Sequence, residues 1–172
     1  MIVISSYVVE NLEALKKQLN DGKIIQHDKE AHLFNTRCTF HEPTTQQQID
    51  DFKKRTNWKL PKPYEEFLLY TNGAHLFRDE YGSGFHVLAL DEIEICHHDY
   101  LLPNWIPIIS YVTTGDYIYI DSDQVESGGN YLMWHNHEHY YDEPSLRFTI
   151  DFSTFLERLI ITRGCSFWEW KN

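Results

Sequence analysis

The sequence predicts an α+β domain, a mainly antiparallel sheet flanked by helices. Three observations carry this expectation. Amphipathic helical stripes come first, β-rich pieces separated by turn residues fill the middle, and a capped helix closes the chain. At 172 residues the chain fits one domain, large enough to bury roughly two-thirds of its unfolded surface without disulfides or metals.

Val8, Leu12, Leu15 and Leu19 recur on one helical face, and Gly22 supplies a left-handed stop. Residues 24–40 mix short apolar pieces with polar ones and read as a strand or a loop. Thr44 with Gln47 makes a capping box ahead of Ile49 and Phe52, and Lys53, Lys54 and Arg55 suit the C-terminal end of that helix. Pro61 and Pro63 begin the next helix. Tyr64, Phe67, Leu68 and Thr71 line one face of it, and Asn72-Gly73 ends it. Strands are expected over 86–90, 105–112, 117–121 and 131–135, with reversals at 113–116 and 128–130. Asp151 or Ser153 caps a final helix bearing Phe152, Phe155, Leu156, Leu159 and Ile160, closed by Gly164. Leu60, Tyr64, Phe67, Leu68, Phe152, Phe155, Leu156 and Leu159 are expected to share one core.

The formal charge of −11 argues against nucleic acid, because binding phosphates calls for a basic face. Between Asp79 and Leu146 there are thirteen acidic residues and neither Lys nor Arg; the rest of the chain carries thirteen acidic residues against all fifteen basic ones. Such a segment is either a solvated surface that keeps the protein soluble or a face that attracts a basic partner. No apolar run reaches the ~20 residues of a membrane span, and the N-terminal residues lack a secretory pattern. Cys38, Cys96 and Cys165 are odd in number and widely spaced, which reads as reduced thiols in a cytoplasmic protein.

Three features bear on chemistry. His135, His137 and His139 would share one face of an extended segment, half of a zinc site, but no fourth ligand is evident and a solvated strand end explains them better. Cys96-His97-His98 is not a nucleophile–base pair, since neighbours in a strand point apart. Asp116, Asp121, Asp123 and Glu126 are closely spaced carboxylates, suited to Ca²⁺, Mg²⁺ or acid–base work, and Asp121-x-Asp123 resembles the start of a calcium loop, yet Glu126 stands where that loop needs Gly and Leu132 where it needs an acid. No catalytic residue, metal ligand or cofactor is assigned. The tail Phe167-Trp168-Glu169-Trp170 packs back on the domain, adds an edge strand, or serves as a binding anchor.

Leu60-Pro61-x-x-Tyr64-x-x-Phe67-Leu68-x-x-Thr71-Asn72-Gly73, then Pro107-Ile108, Gly115-Asp116, Ile120-Asp121, Leu132-x-Trp134-x-x-His137 and Phe152-x-x-Phe155-Leu156 come in an order that resembles the SUKH superfamily. Its Smi/Knr-type members are often labelled cell-wall assembly regulators. The likeness runs from about Thr44 to Gly164; residues 1–43 read as an N-terminal extension packed on the domain and residues 165–172 as an aromatic tail. The resemblance implies binding rather than catalysis: bacterial members are regarded as immunity proteins against toxins, many of them nucleases, and fungal relatives as regulatory binders. The expected partner is therefore a protein, a basic toxin, or for the regulatory alternative a housekeeping factor, with neither nucleic acid nor membrane involved. Candidate partner-binding residues are Asp91, Glu92, Asp116, Tyr119, Asp121, Asp123, Glu126 and Trp134.

Overall fold

The computed structural model describes residues 6–27 and 32–169. Among these, eight strands form one antiparallel meander in sequence order, β1 (Lys23–His27), β2 (Leu33–Phe40), β3 (Ala74–Arg78), β4 (Phe85–Val87), β5 (Trp105–Tyr111), β6 (Asp116–Asp121), β7 (Leu132–His135) and β8 (Leu146–Arg147). Six helices accompany them: α1 (Tyr7–Gln18), α2 (Gln46–Thr56), α3 (Lys62–Tyr70), α4 (Leu90–Cys96), α5 (Ser122–Ser127) and α6 (Phe152–Ile161). No helix among the described residues is long and apolar enough to cross a membrane.

Local chemistry fixes the helix ends. Ser6 caps α1, which stops at Leu19; Gly22, at φ 73°, belongs to the turn into β1 rather than to the helix end itself. The capping box of α2 lies one residue beyond the expected pair. The Thr45 hydroxyl accepts the Gln48 N–H, and the Gln48 side-chain oxygen Oε1 accepts the Thr45 N–H at 2.9 Å. Two adjacent threonines and three consecutive glutamines make either register legible in sequence. Asp151 caps α6 by accepting the Thr154 N–H at 2.9 Å.

All eight residues expected to share a core are buried together. Tyr64 and Phe67 of α3 meet Phe152 of α6 edge-on, at 5.1 and 5.8 Å between ring centres. Helices α1, α3 and α6 pack on one face of the sheet, over Ile106, Ile108, Ile118, Ile120 and Leu132. The tail folds back as a 3₁₀ turn, Phe167–Glu169, rather than an edge strand, and Trp168 packs on Phe155 at 5.5 Å. Trp170 lies outside the described residues.

One irregularity sets what the opposite face displays. Along β2, Arg37 and Thr39 are two residues apart, but their partners in β3, Arg78 and His75, are three apart. Phe77, at φ 55°, is the extra residue. Leu76 and Phe77 therefore both enter the core, and Arg78 emerges on the open face opposite Arg37. Gly84 makes room for this bulge: a Cβ there would stand 2.6 Å from the Phe77 carbonyl oxygen.

Candidate functional site

The face of the sheet turned away from the helices carries a second, smaller cluster. Trp105, Tyr119 and Met133 point to it from β5, β6 and β7, and Leu101 covers them. Two loops fold over this cluster. From the segment after α4, Tyr100 reaches Tyr141 of the β7–β8 loop at 4.7 Å between ring centres; Tyr141 in turn lies 4.2 Å from His135. The outer surface of these loops is acidic and aromatic. Tyr100 and Tyr140 are 58% and 89% exposed, and Asp99, Glu138, Asp142 and Glu143 are exposed around them. None of these four carboxylates joins an ion pair among the described residues.

Helices α4 and α5 stand at one end of the same sheet, where β4 and β6 finish and β5 begins. The segment between α4 and β5 joins them: the Ser122 N–H donates to the Asn104 carbonyl at 2.8 Å, and the Trp58 indole donates to Pro103. Asp91 of α4 and Asp123 of α5 therefore lie toward the same end of the sheet. Their charge is diluted there, because Arg55 pairs with Glu94 and Lys59 with Glu126.

The eight candidates divide by burial. Asp91, Asp123 and Glu126 are exposed. Glu92 is half-buried, accepts the Ala89 N–H at 2.7 Å and lies 3.1 Å from His86 Nε2. Asp116, Asp121 and Tyr119 are buried, only 3–5% exposed. Asp121 caps α5, accepts from the Asn104 amide at 2.8 Å and pairs with Arg147 at 3.0 Å. Tyr119 is enclosed by the loop cluster, and Trp134 sits on the helix side against Trp168. These four support the site from within, because β6 and β7 are covered on both faces. Asp99, Tyr100, Tyr140, Asp142 and Glu143, all exposed, stand outside the eight candidates, although the sequence places them in its acidic, Tyr-rich segment. Their signal was a run of Tyr and acid in segments without strand or helix period.

The three histidines of 135–139 each take a separate partner. His135 Nε2 faces the His139 carbonyl, His137 Nδ1 lies 2.8 Å from Asp116, and His139 Nδ1 lies 3.1 Å from the Ser145 hydroxyl. Among the described residues no group of His, Cys, Asp and Glu is arranged to hold a metal ion. Cys96 is half-buried, and burial raises its thiol pKa. Burial alone would raise the Asp116 carboxyl, but hydrogen bonds from the His137 ring and N–H and from Thr114 outweigh it and hold the pKa low.

Burial lowers the His135 pKa below its ordinary 6.5, against a smaller opposing pull from the carbonyls of His139 and Glu143. Below pH 6.5 the unfolded chain takes up this proton before the folded one does. Stability from this residue is therefore complete above 6.5 and declines as pH falls through the lower folded value. His75 is lowered by burial in the same sense. Urea midpoints are expected to drop between pH 7 and 5.5, and the drop should shrink in His135→Gln; an unchanged slope in that variant would contradict it.

Residues 43–158 match the SMI1 / KNR4 family (SUKH-1). Two curated proteins of Bacillus subtilis (strain 168) are similar. "Uncharacterized protein YobM" is 29% identical over 98% of this chain and 94% of its own length. "Uncharacterized protein YnaB" is 27% identical over 77% of this chain and 88% of its own. The chain belongs to the SMI1 / KNR4 (SUKH-1) family.

Proposed function

We propose that this SUKH-1 protein is a cytoplasmic, immunity-type binder that neutralises a cognate toxin, and that it holds the toxin through the acidic, aromatic loop surface. The observation that carries this reading is the surface itself. Asp99, Glu138, Asp142 and Glu143, without an ion pair among the described residues, surround exposed Tyr100 and Tyr140 over an aromatic base. Nucleases are basic where they grip phosphates, so a carboxylate-rich surface stands in for the substrate and speeds the encounter. The tyrosines supply contact area at low entropic cost, as binding hot spots require. Asp91 and Asp123 extend the negative field along α4 and α5, where Glu126 is neutralised by Lys59. The binder needs no catalytic group and no cofactor.

The test is co-expression with the product of any neighbouring gene that is toxic when expressed alone. The expected result is restored growth and a stable complex of the two purified proteins. Failure to bind that toxin, with capture of a housekeeping regulator instead, would favour the regulatory reading.

A further inference from the structure

The other half of the open face has the opposite character. Lys23 of β1 pairs with Arg37 of β2, and Arg37 pairs with Arg78 of β3, so three cations stand in one row across three strands. All three are exposed. Like charges directly opposite one another in a sheet are destabilising. Nothing within the described residues offsets them: none of the three joins an ion pair, and the Arg37 guanidinium reaches only the Asp21 carbonyl. Asp79, at the rim, gives one carboxylate oxygen to the N–H groups of Tyr81 and Ser83. Glu80 is the other acid there. The row lies in a groove of about 900 Å³, bordered by His75, Leu33 and Tyr81. Leu33 is 63% and Tyr81 86% exposed, apolar contacts beside the charge.

We propose that this groove binds an extended, acidic segment of a partner protein. The row crosses two inter-strand steps, about 10 Å, and an extended chain repeats its side chains on one face about every 7 Å, so two or three carboxylates of one segment reach it. Leu33 and Tyr81 then pack apolar side chains that flank the acidic stretch on the same face of the segment, a combination of Arg and aromatic contact that favours a peptide over a free anion. Lys23 and Arg37 lie outside the family-matched residues 43–158, so the groove is built in part from the N-terminal hairpin that the family match does not cover. The inference does not depend on toxin binding by the acidic loops.

The test uses the full chain and a fluorescein-labelled decaglutamate peptide, read by anisotropy at low salt. With a net charge of −11 the protein as a whole repels this probe, so binding requires a local site. Binding is expected, weakened tenfold or more in the double variant Arg37→Glu/Arg78→Glu, with an unchanged thermal midpoint. Each single exchange, Lys23→Gln or Arg78→Gln, should weaken it about threefold and serves if the double variant unfolds. No binding of the peptide, equal binding by the variants, or tighter binding of a 20-nucleotide oligothymidine or of inorganic phosphate would overturn the proposal. Self-association abolished by the same variants would also overturn it, in favour of a second copy as occupant.

Discussion

Replacing Phe67 by alanine is expected to destabilise the protein by about 3–5 kcal/mol, enough to lower its thermal midpoint by roughly 10 °C. Phe67 is fully buried, stacks on Tyr64 at 6.2 Å and meets Phe152 edge-on at 5.8 Å. Its ring therefore joins α3 to α6, the two helices whose stripes were clearest in the sequence. Truncation loses the transfer energy of the ring and leaves a cavity that neighbouring aromatics cannot refill without leaving their rotamers. The adjacent Leu69 is 38% exposed, and its truncation should cost far less. Urea unfolding of both variants makes the comparison; equal losses would contradict the packing described for this core.

The second large effect concerns Asp121. Its carboxylate serves three groups at once: it caps α5 at the Asp123 N–H, accepts from Asn104 and pairs with Arg147. Asp121→Ala should cost about 3 kcal/mol. The lost cap accounts for about 1 kcal/mol of this. The rest comes from the Asn104 amide and the part-buried Arg147 guanidinium losing their acceptor. Asp123 is exposed, and Asp123→Ala should be nearly neutral for stability. The two carboxylates look alike in sequence, two residues apart in an acidic run, yet one belongs to the scaffold and the other to the surface. Equal stabilities for the two variants would return Asp121 to the surface.

That pair illustrates how far the sequence could be read. Helices α2, α3 and α6 were legible because caps, prolines and apolar spacing agree on them, and β5, β6 and β7 because turn residues punctuate β-rich runs. Helices α4 and α5 were not. Each is shorter than two turns, and Leu88-Ala89-Leu90 reads as the end of a strand while Asp121-Ser122-Asp123 reads as an acidic loop. Strand β3 was missed because Phe77 breaks its alternation. The hairpin of β1 and β2 stayed ambiguous because its open face is polar and its core face is thin, with Ile24, Thr36 and Cys38 turned inward. For the candidate site, alternation could not say whether Tyr119 and Trp134 face solvent. Both faces of β6 and β7 are covered, one by helices and the tail, the other by loops of no regular period. The charge asymmetry located the acidic half of the molecule; which carboxylates stay unpaired is a property of tertiary contacts with Arg55, Lys59 and Arg147.

Toxin capture by the acidic loops is tested most directly by association kinetics. The rate constants of the full chain with its cognate toxin would be measured at about 50 and 300 mM salt. They would be compared with those of a variant carrying Asp99→Asn, Asp142→Asn and Glu143→Gln, and with those of Tyr100→Ala. Exposed charges steer encounter and are screened over about 8 Å at physiological salt, whereas anchors govern escape. The charge variant is expected to associate about tenfold more slowly at low salt and to lose most of its salt dependence, with dissociation little changed. Tyr100→Ala should instead dissociate faster. Unchanged association of the charge variant at low salt would contradict the account and leave these carboxylates as ordinary solvated surface.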